Sequence, residues 1–67
     1  MDWLNFLKVM AVEERAARDK YQLAVDLADD PAIKAVFKRL RDEEAFHADF
    51  LEGEYARLEK ALTTKGR

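Results

Sequence analysis

Cysteine is absent from all 67 residues, proline and histidine occur once each, and glycine occurs twice. Each shortage excludes something. Without cysteine there is no disulfide, the usual staple of a small domain. Little glycine and proline, set against 49% apolar residues, excludes collagen-like and low-complexity chains. No apolar run approaches the ~20 residues of a membrane span. Neither sign of charge dominates: 12 basic and 14 acidic side chains leave a formal net charge of −2. That balance gives no electrostatic footprint for nucleic acid. Met1-Asp2-Trp3-Leu4-Asn5 lacks the basic start and apolar stretch of a secretory signal. The expected setting is the cytoplasm or an intracellular compartment, with no membrane and no nucleic acid as partner. A chain this short is one domain, 1–67. Below roughly 70–80 residues a single core rarely suffices. With disulfides excluded, the remaining staples are metal and oligomerisation.

The residues that are present favour helix: Ala, Leu, Glu, Lys and Arg dominate, and no strand-like alternation occurs. In the first half, candidate inward positions are Trp3, Leu7, Met10, Glu14, Ala17, Tyr21, Ala24 and Ala28. In the second they are Ile33, Phe37, Leu40, Glu44, His47, Leu51, Glu54 and Leu58. Steps of four and three alternate in both, the 3.5-residue seam of helices packed as in bundles and coiled coils. Asp30 reads as an N-cap and Pro31 as a first helical residue, where a missing N–H costs nothing. Gly66 suits a helix stop. Gly53 interrupts a helical pattern, so it marks a close backbone approach or a bend. The spacing therefore predicts an all-α chain: helix over about 3–28, turn at 29–30, helix over about 31–63. So short a turn makes the helices antiparallel neighbours. Further apolar residues flank the seam, among them Leu23, Leu27, Val36, Phe46 and Phe50. Two helices cannot hide that width between themselves, so the hairpin is expected to self-associate into a four-helix bundle.

Three ionisable residues interrupt the middle of the seam: Glu14, Glu44 and His47. Counted from the turn, all three stand at one depth, roughly 24 Å up the hairpin at 1.5 Å per residue. Glu44-Ala45-Phe46-His47 is a Glu-x-x-His motif, whose ends project from one side of a helix. Buried charge must be paired, neutralised or bound to metal. Carboxylate oxygen with imidazole nitrogen suits iron, manganese or zinc. One chain holds too few ligands for a dinuclear site. A two-fold axis through this layer doubles the set to four Glu and two His, the ligand inventory of di-iron carboxylate bundles. The same residues also fit a metal-free alternative, an interchain Glu14–His47 ion pair or a polar layer that sets register. Glu54, nearer the end of the seam, reads as a solvated flank or an additional metal ligand. Glu13 and Glu43 read as outer-face charges, with Arg39 placed to pair with Glu43. Glu13 could also begin an acidic path for incoming cations. Tyr21, seven residues after Glu14, reads either as aromatic packing or as a hydrogen-bond partner of a ligand carboxylate.

Glu14 followed by Tyr21, then Asp30-Pro31-Ala32-Ile33-Lys34-Ala35-Val36-Phe37, then Glu43-Glu44-Ala45-Phe46-His47, resembles the ferritin-like superfamily, specifically rubrerythrin. The resemblance spans about residues 7–58. A full rubrerythrin-type domain carries the two-helix pattern twice; here it occurs once. In that respect the chain is similar to the encapsulated ferritins, whose two-helix subunits build a di-iron site across a dimer interface and assemble into rings. The resemblance implies that Glu14, Glu44 and His47 match the iron ligands and that Tyr21 matches the nearby tyrosine. It also implies ferroxidase chemistry, the oxidation of Fe(II) by oxygen or peroxide. Two features depart from it. Leu62-Thr63-Thr64-Lys65-Gly66-Arg67 does not resemble the Leu-, Gly- and Ser-rich tail that docks such proteins in a shell, which leaves the encapsulating shell in doubt as a partner. Without cysteine, the chain cannot hold a rubredoxin iron centre.

The resulting expectation is an oxidoreductase, either a ferroxidase or a rubrerythrin-like peroxidase, that works as a homodimer or larger even-numbered oligomer. Its cofactor is dinuclear iron shared between two chains, with manganese or zinc as substitutes. Glu44 bridges, Glu14 is terminal or chelating, and His47 supplies the nitrogen. Met10, Leu40 and Leu51 form apolar walls. The alternatives are metal storage without turnover, or a non-catalytic self-associating hairpin.

Overall fold

The computed structural model describes residues 1–65, and these form two helices, α1 over Trp3–Leu27 and α2 over Pro31–Lys65. Gly66, expected to stop the second helix, lies outside the described residues. Both helix starts are capped by aspartate, whose side chain satisfies N–H groups that have no partner inside the helix. The Asp30 carboxylate accepts from the backbone N–H of Ala32 at 2.7 Å and of Ile33 at 3.3 Å. Asp2 does the same for Asn5 at 3.0 Å, a cap the sequence pattern left unmarked. The first helix ends one residue earlier than the spacing predicts. Ala28 is extended (φ −72°, ψ 129°) and closes α1 by donating its N–H to the Ala24 carbonyl. Its extended backbone begins the short connection to Pro31. The cross-helix contacts confirm an antiparallel hairpin: Arg15 meets Glu52 and, further toward the turn, Gln22 meets Arg41.

The interior is narrow. Ala11, Val25 and Ala48 are the buried apolar residues, all of them small. Each follows directly after a residue of the 3.5-residue seam: Met10, Ala24 and His47. The seam is therefore rotated off the line of closest contact, although Tyr21 with Phe37 and Glu14 with His47 still meet across the helices. Most of it lies half-buried along the rim of one open face of the hairpin. Three seam residues expected inside are exposed: Trp3 at 59%, Ile33 at 52%, and His47. The reason is geometric, since two helices share one line of contact, and an apolar stripe of this width extends past that line. Tyr21 and Phe37 stack across the hairpin with ring centroids 6.2 Å apart, close to the small positions near the turn.

The overall shape follows from this thin core. The molecule is a rod of 56 × 15 × 14 Å with a radius of gyration of 15.8 Å, where a compact chain of this length has about 11 Å. Its accessible surface is 5263 Å², against about 4,400 Å² for a compact monomer of 7.8 kDa. Large apolar side chains contribute to it: Val12, Leu23, Leu27, Val36, Phe46 and Phe50 are all more than half exposed. Among the described residues, no helix is long and apolar enough to cross a membrane. Gly53 meets no close backbone: a Cβ added there would touch nothing within 4 Å. The close approach anticipated from its position is absent from the hairpin. Gly53→Ala is therefore expected to raise stability by up to about 1 kcal/mol, and Asp30→Ala to lower it by about 1 kcal/mol through loss of the cap. Urea unfolding at one fixed protein concentration checks both, through opposite shifts of the midpoint.

Candidate metal centre

Side chains from the middle of both helices converge on the open face. Glu14 comes from α1; Glu44 and His47 come from successive turns of α2. One potential ligand atom from each of the three lies within 4.8 Å of the others. His47 Nδ1 stands 3.7 Å from Glu14 Oε2 and 3.8 Å from Glu44 Oε2. Bonds from one metal ion to such atoms are about 2.0–2.2 Å, so two ligands of one ion stand roughly 3–4 Å apart. The observed separations fall in that range and exceed a direct hydrogen bond. The imidazole thus turns Nδ1 toward the carboxylates. The two Glu side chains are 24% and 20% exposed, and His47 is 52% exposed toward the open face.

The charge in this group is uncompensated. Every neighbouring arginine is committed elsewhere: Arg15 to Glu52 and Asp49, Arg39 to Glu43, Arg41 to Asp42 and Gln22, and Arg57 to Glu54. Two half-buried carboxylates are left facing each other with only an imidazole nearby. Their proximity favours the protonated form of Glu44. The Glu44 carboxyl is pushed above its ordinary value, first by hydrogen bonding with Glu14, then by burial and by the Glu14 charge, while His47 pulls the other way. A divalent cation would take the proton's place. Two carboxylates and one imidazole per chain form a donor set that fits iron, manganese or zinc.

The other candidate residues fare differently. Glu54 turns away to Arg57, which donates to it from Nε at 3.0 Å. Glu13 is exposed and stands apart from the three-residue group. The Tyr21 ring packs on Phe37, and among the described residues its hydroxyl has no hydrogen-bond partner. Arg39 and Glu43 pair as the spacing predicts, at 3.1 Å. The apolar wall differs from expectation. A hollow of about 410 Å³ opens beside the group, lined by Glu14, Phe46, His47, Phe50 and Leu51. Leu51 is there, but Phe46 and Phe50 take the places anticipated for Met10 and Leu40. The signal was present in the i, i+4 spacing of the two phenylalanines around His47, which the seam assignment reads as a flank. Phe46 also meets the imidazole edge-on, with centroids 6.2 Å apart. A second hollow, lined by Arg39, Asp42, Glu43, Phe46 and His47, lies on the other side of that ring.

Compared with known protein families, curated proteins and solved structures, the chain matches none of them.

The raised Glu44 value has a definite sign. The folded state binds this proton more tightly than the unfolded chain does. The stability it contributes is therefore present below the ordinary glutamate range and lost as pH rises through the raised value. Carboxyl-carbon NMR of the metal-free protein is expected to place the Glu44 midpoint above 4.5, and Glu14→Gln is expected to lower it. A wild-type midpoint at or below 4.5 would mean that the two carboxylates do not interact.

Proposed function

We propose that this chain is half of a di-metal carboxylate protein with ferroxidase-type activity, whose centre is completed when two hairpins pair into a four-helix bundle. One observation carries the reading: Glu14, Glu44 and His47 present three ligand atoms within 4.8 Å of one another, with no arginine or lysine bound to them. The open face supports the pairing. It holds the half-buried seam, and a second copy related by a two-fold axis would cover both the seam and the outward side of His47. Four carboxylates would then offset the charge of two divalent ions. The resemblance to rubrerythrin and to the encapsulated ferritins agrees with this reading in ligand type, ligand spacing and the two-helix subunit.

In this scheme Fe(II) is the substrate. Two Fe(II) ions give up two electrons, enough with two protons to take peroxide to two waters or dioxygen to peroxide. Glu44, which lies close to both Glu14 and His47, would hold metal together with them. Glu14 binds from the facing helix. His47 supplies nitrogen through Nδ1 and leaves Nε2 free for an acceptor on the far side. Phe46, Phe50 and Leu51 keep the approach apolar, which limits competing water. Cation binding would require both carboxylates ionised, so it would compete with protonation of Glu44. The setting that suits this role is the cytoplasm or the interior of an intracellular protein compartment.

A second reading rests on the same 3.7 Å contact between His47 and Glu14. A protonated His47 would pair with Glu14 and Glu44, and the layer would only fix how hairpins dock. Replacement separates the two. In the metal reading, purified protein binds about one iron per chain in an even-numbered oligomer, and Glu14→Ala lowers both iron content and Fe(II) oxidation more than tenfold. In the structural reading the protein ignores added Fe(II), and Glu14→Leu changes the oligomer or stabilises it. Iron analysis, oligomeric mass and stopped-flow Fe(II) oxidation provide the measurements.

A further inference from the structure

On the face opposite the carboxylate–imidazole group, two arginines cross from one helix to the other. Arg15 donates from Nε to Glu52 Oε1 at 2.8 Å, reaches the second oxygen of Glu52 through Nη2, and touches Asp49 at 3.5 Å. Arg41 donates to Gln22 Oε1 at 3.0 Å, and Gln22 in turn donates to Asp26. The side chains of Arg15 and Arg41 are only 34% and 27% exposed. They lie apart from the contacts that Glu14 makes across the helices with Glu44 and His47. Their placement is specific. On α1, Arg15 directly follows Glu14 and Gln22 lies two turns further on. On α2, Arg41 and the Asp49–Glu52 pair bracket Glu44 and His47.

We infer that Arg15 and Arg41 are positioning residues, which lock the register of α1 against α2 so that Glu14 meets Glu44 and His47; this rests on reading that group as a metal half-site. The apolar interior cannot do this alone. Its buried residues are Ala11, Val25 and Ala48, and small side chains present smooth surfaces that slide and roll. The capped turn pins the helices only at its own end, roughly 24 Å from the ligands at 1.5 Å per residue. A metal constellation tolerates displacements of about 0.5 Å. Exposed ion pairs add little net stability, so the measurable consequence is geometry. The planar arginine fork, which holds both oxygens of Glu52, fixes direction as well as distance.

The absence of cysteine makes the test direct. Spin labels at Ala16→Cys and Glu43→Cys, diluted into unlabelled protein, report the α1–α2 distance at the depth of the ligands without any metal. The parent is expected to give one narrow distance, and Arg15→Ala/Arg41→Ala a distribution shifted or broadened by several ångström, with helicity by circular dichroism retained. The reversed pair Arg15→Glu/Glu52→Arg is expected to keep the narrow distance. In parallel, the parent is expected to bind Co(II) with carboxylate–imidazole absorption bands, and the double alanine variant to bind at least tenfold more weakly with altered bands. Unchanged distance and unchanged Co(II) bands in the double variant would overturn the inference, even if its melting temperature fell. So would a slipped distance in the reversed pair, which also decides the matter if the double variant unfolds. A parent that ignores Co(II) would remove the metal reading, while the label distances still decide the register role.

Discussion

Two helices lying side by side share a single line of contact, and everything else in this molecule follows from that limit. The line is filled by alanine and valine, and the larger apolar side chains cannot reach it. They remain along the rim or on the outside. A compact monomer of this mass would expose about 4,400 Å², whereas this rod exposes 5263 Å². Burial of apolar area is the main favourable term in folding, so a hairpin that leaves so much uncovered is incomplete as an energetic unit. The proposed pairing with a second copy of the same face would cover that area.

The same limit shapes the chemistry. Glu14 and Glu44 are held half-buried at the edge of the open face, deep enough that their charges matter to each other and shallow enough to be reached. The arginines that could neutralise them are directed to other acids, most of them on the back of the hairpin or on the same helix. The polar side chains thus divide by face: arginine–acid pairs close one side, and bare carboxylates with an imidazole occupy the other. In the proposed dimer, stability and metal binding draw on the same surface, since the copy that would cover the seam would also supply the remaining ligands.

Much of this was legible in order of residues. Asp30-Pro31 marks the start of α2 because a cap and a fixed φ have local causes. The alternating steps of four and three mark the seam because helical period is local too. The matched depth of Glu14, Glu44 and His47 follows from counting along two rods joined by a short turn. What failed to read out was the direction of the seam. Met10, Ala24 and His47 were placed inside, whereas their neighbours Ala11, Val25 and Ala48 are the buried ones. A periodic pattern identifies a stripe on each helix but not which way that stripe faces once only one neighbour is present. The phenylalanines beside His47 do lie on the flank, exposed, and from there they line the hollow beside the imidazole.

By itself, the sequence determined two helices, the Asp30 cap of the second, their antiparallel arrangement and the shared depth of three ligand-type residues. Each of those depends on local backbone preferences or on simple length. Only the tertiary structure decided that the three residues meet within 4.8 Å, that Glu54 is claimed by Arg57, and that Arg15 and Arg41 bridge on the opposite side. Those outcomes depend on the rotation of one helix about its axis relative to the other. That angle is set by packing between residues far apart in the chain, and no stretch of sequence contains it.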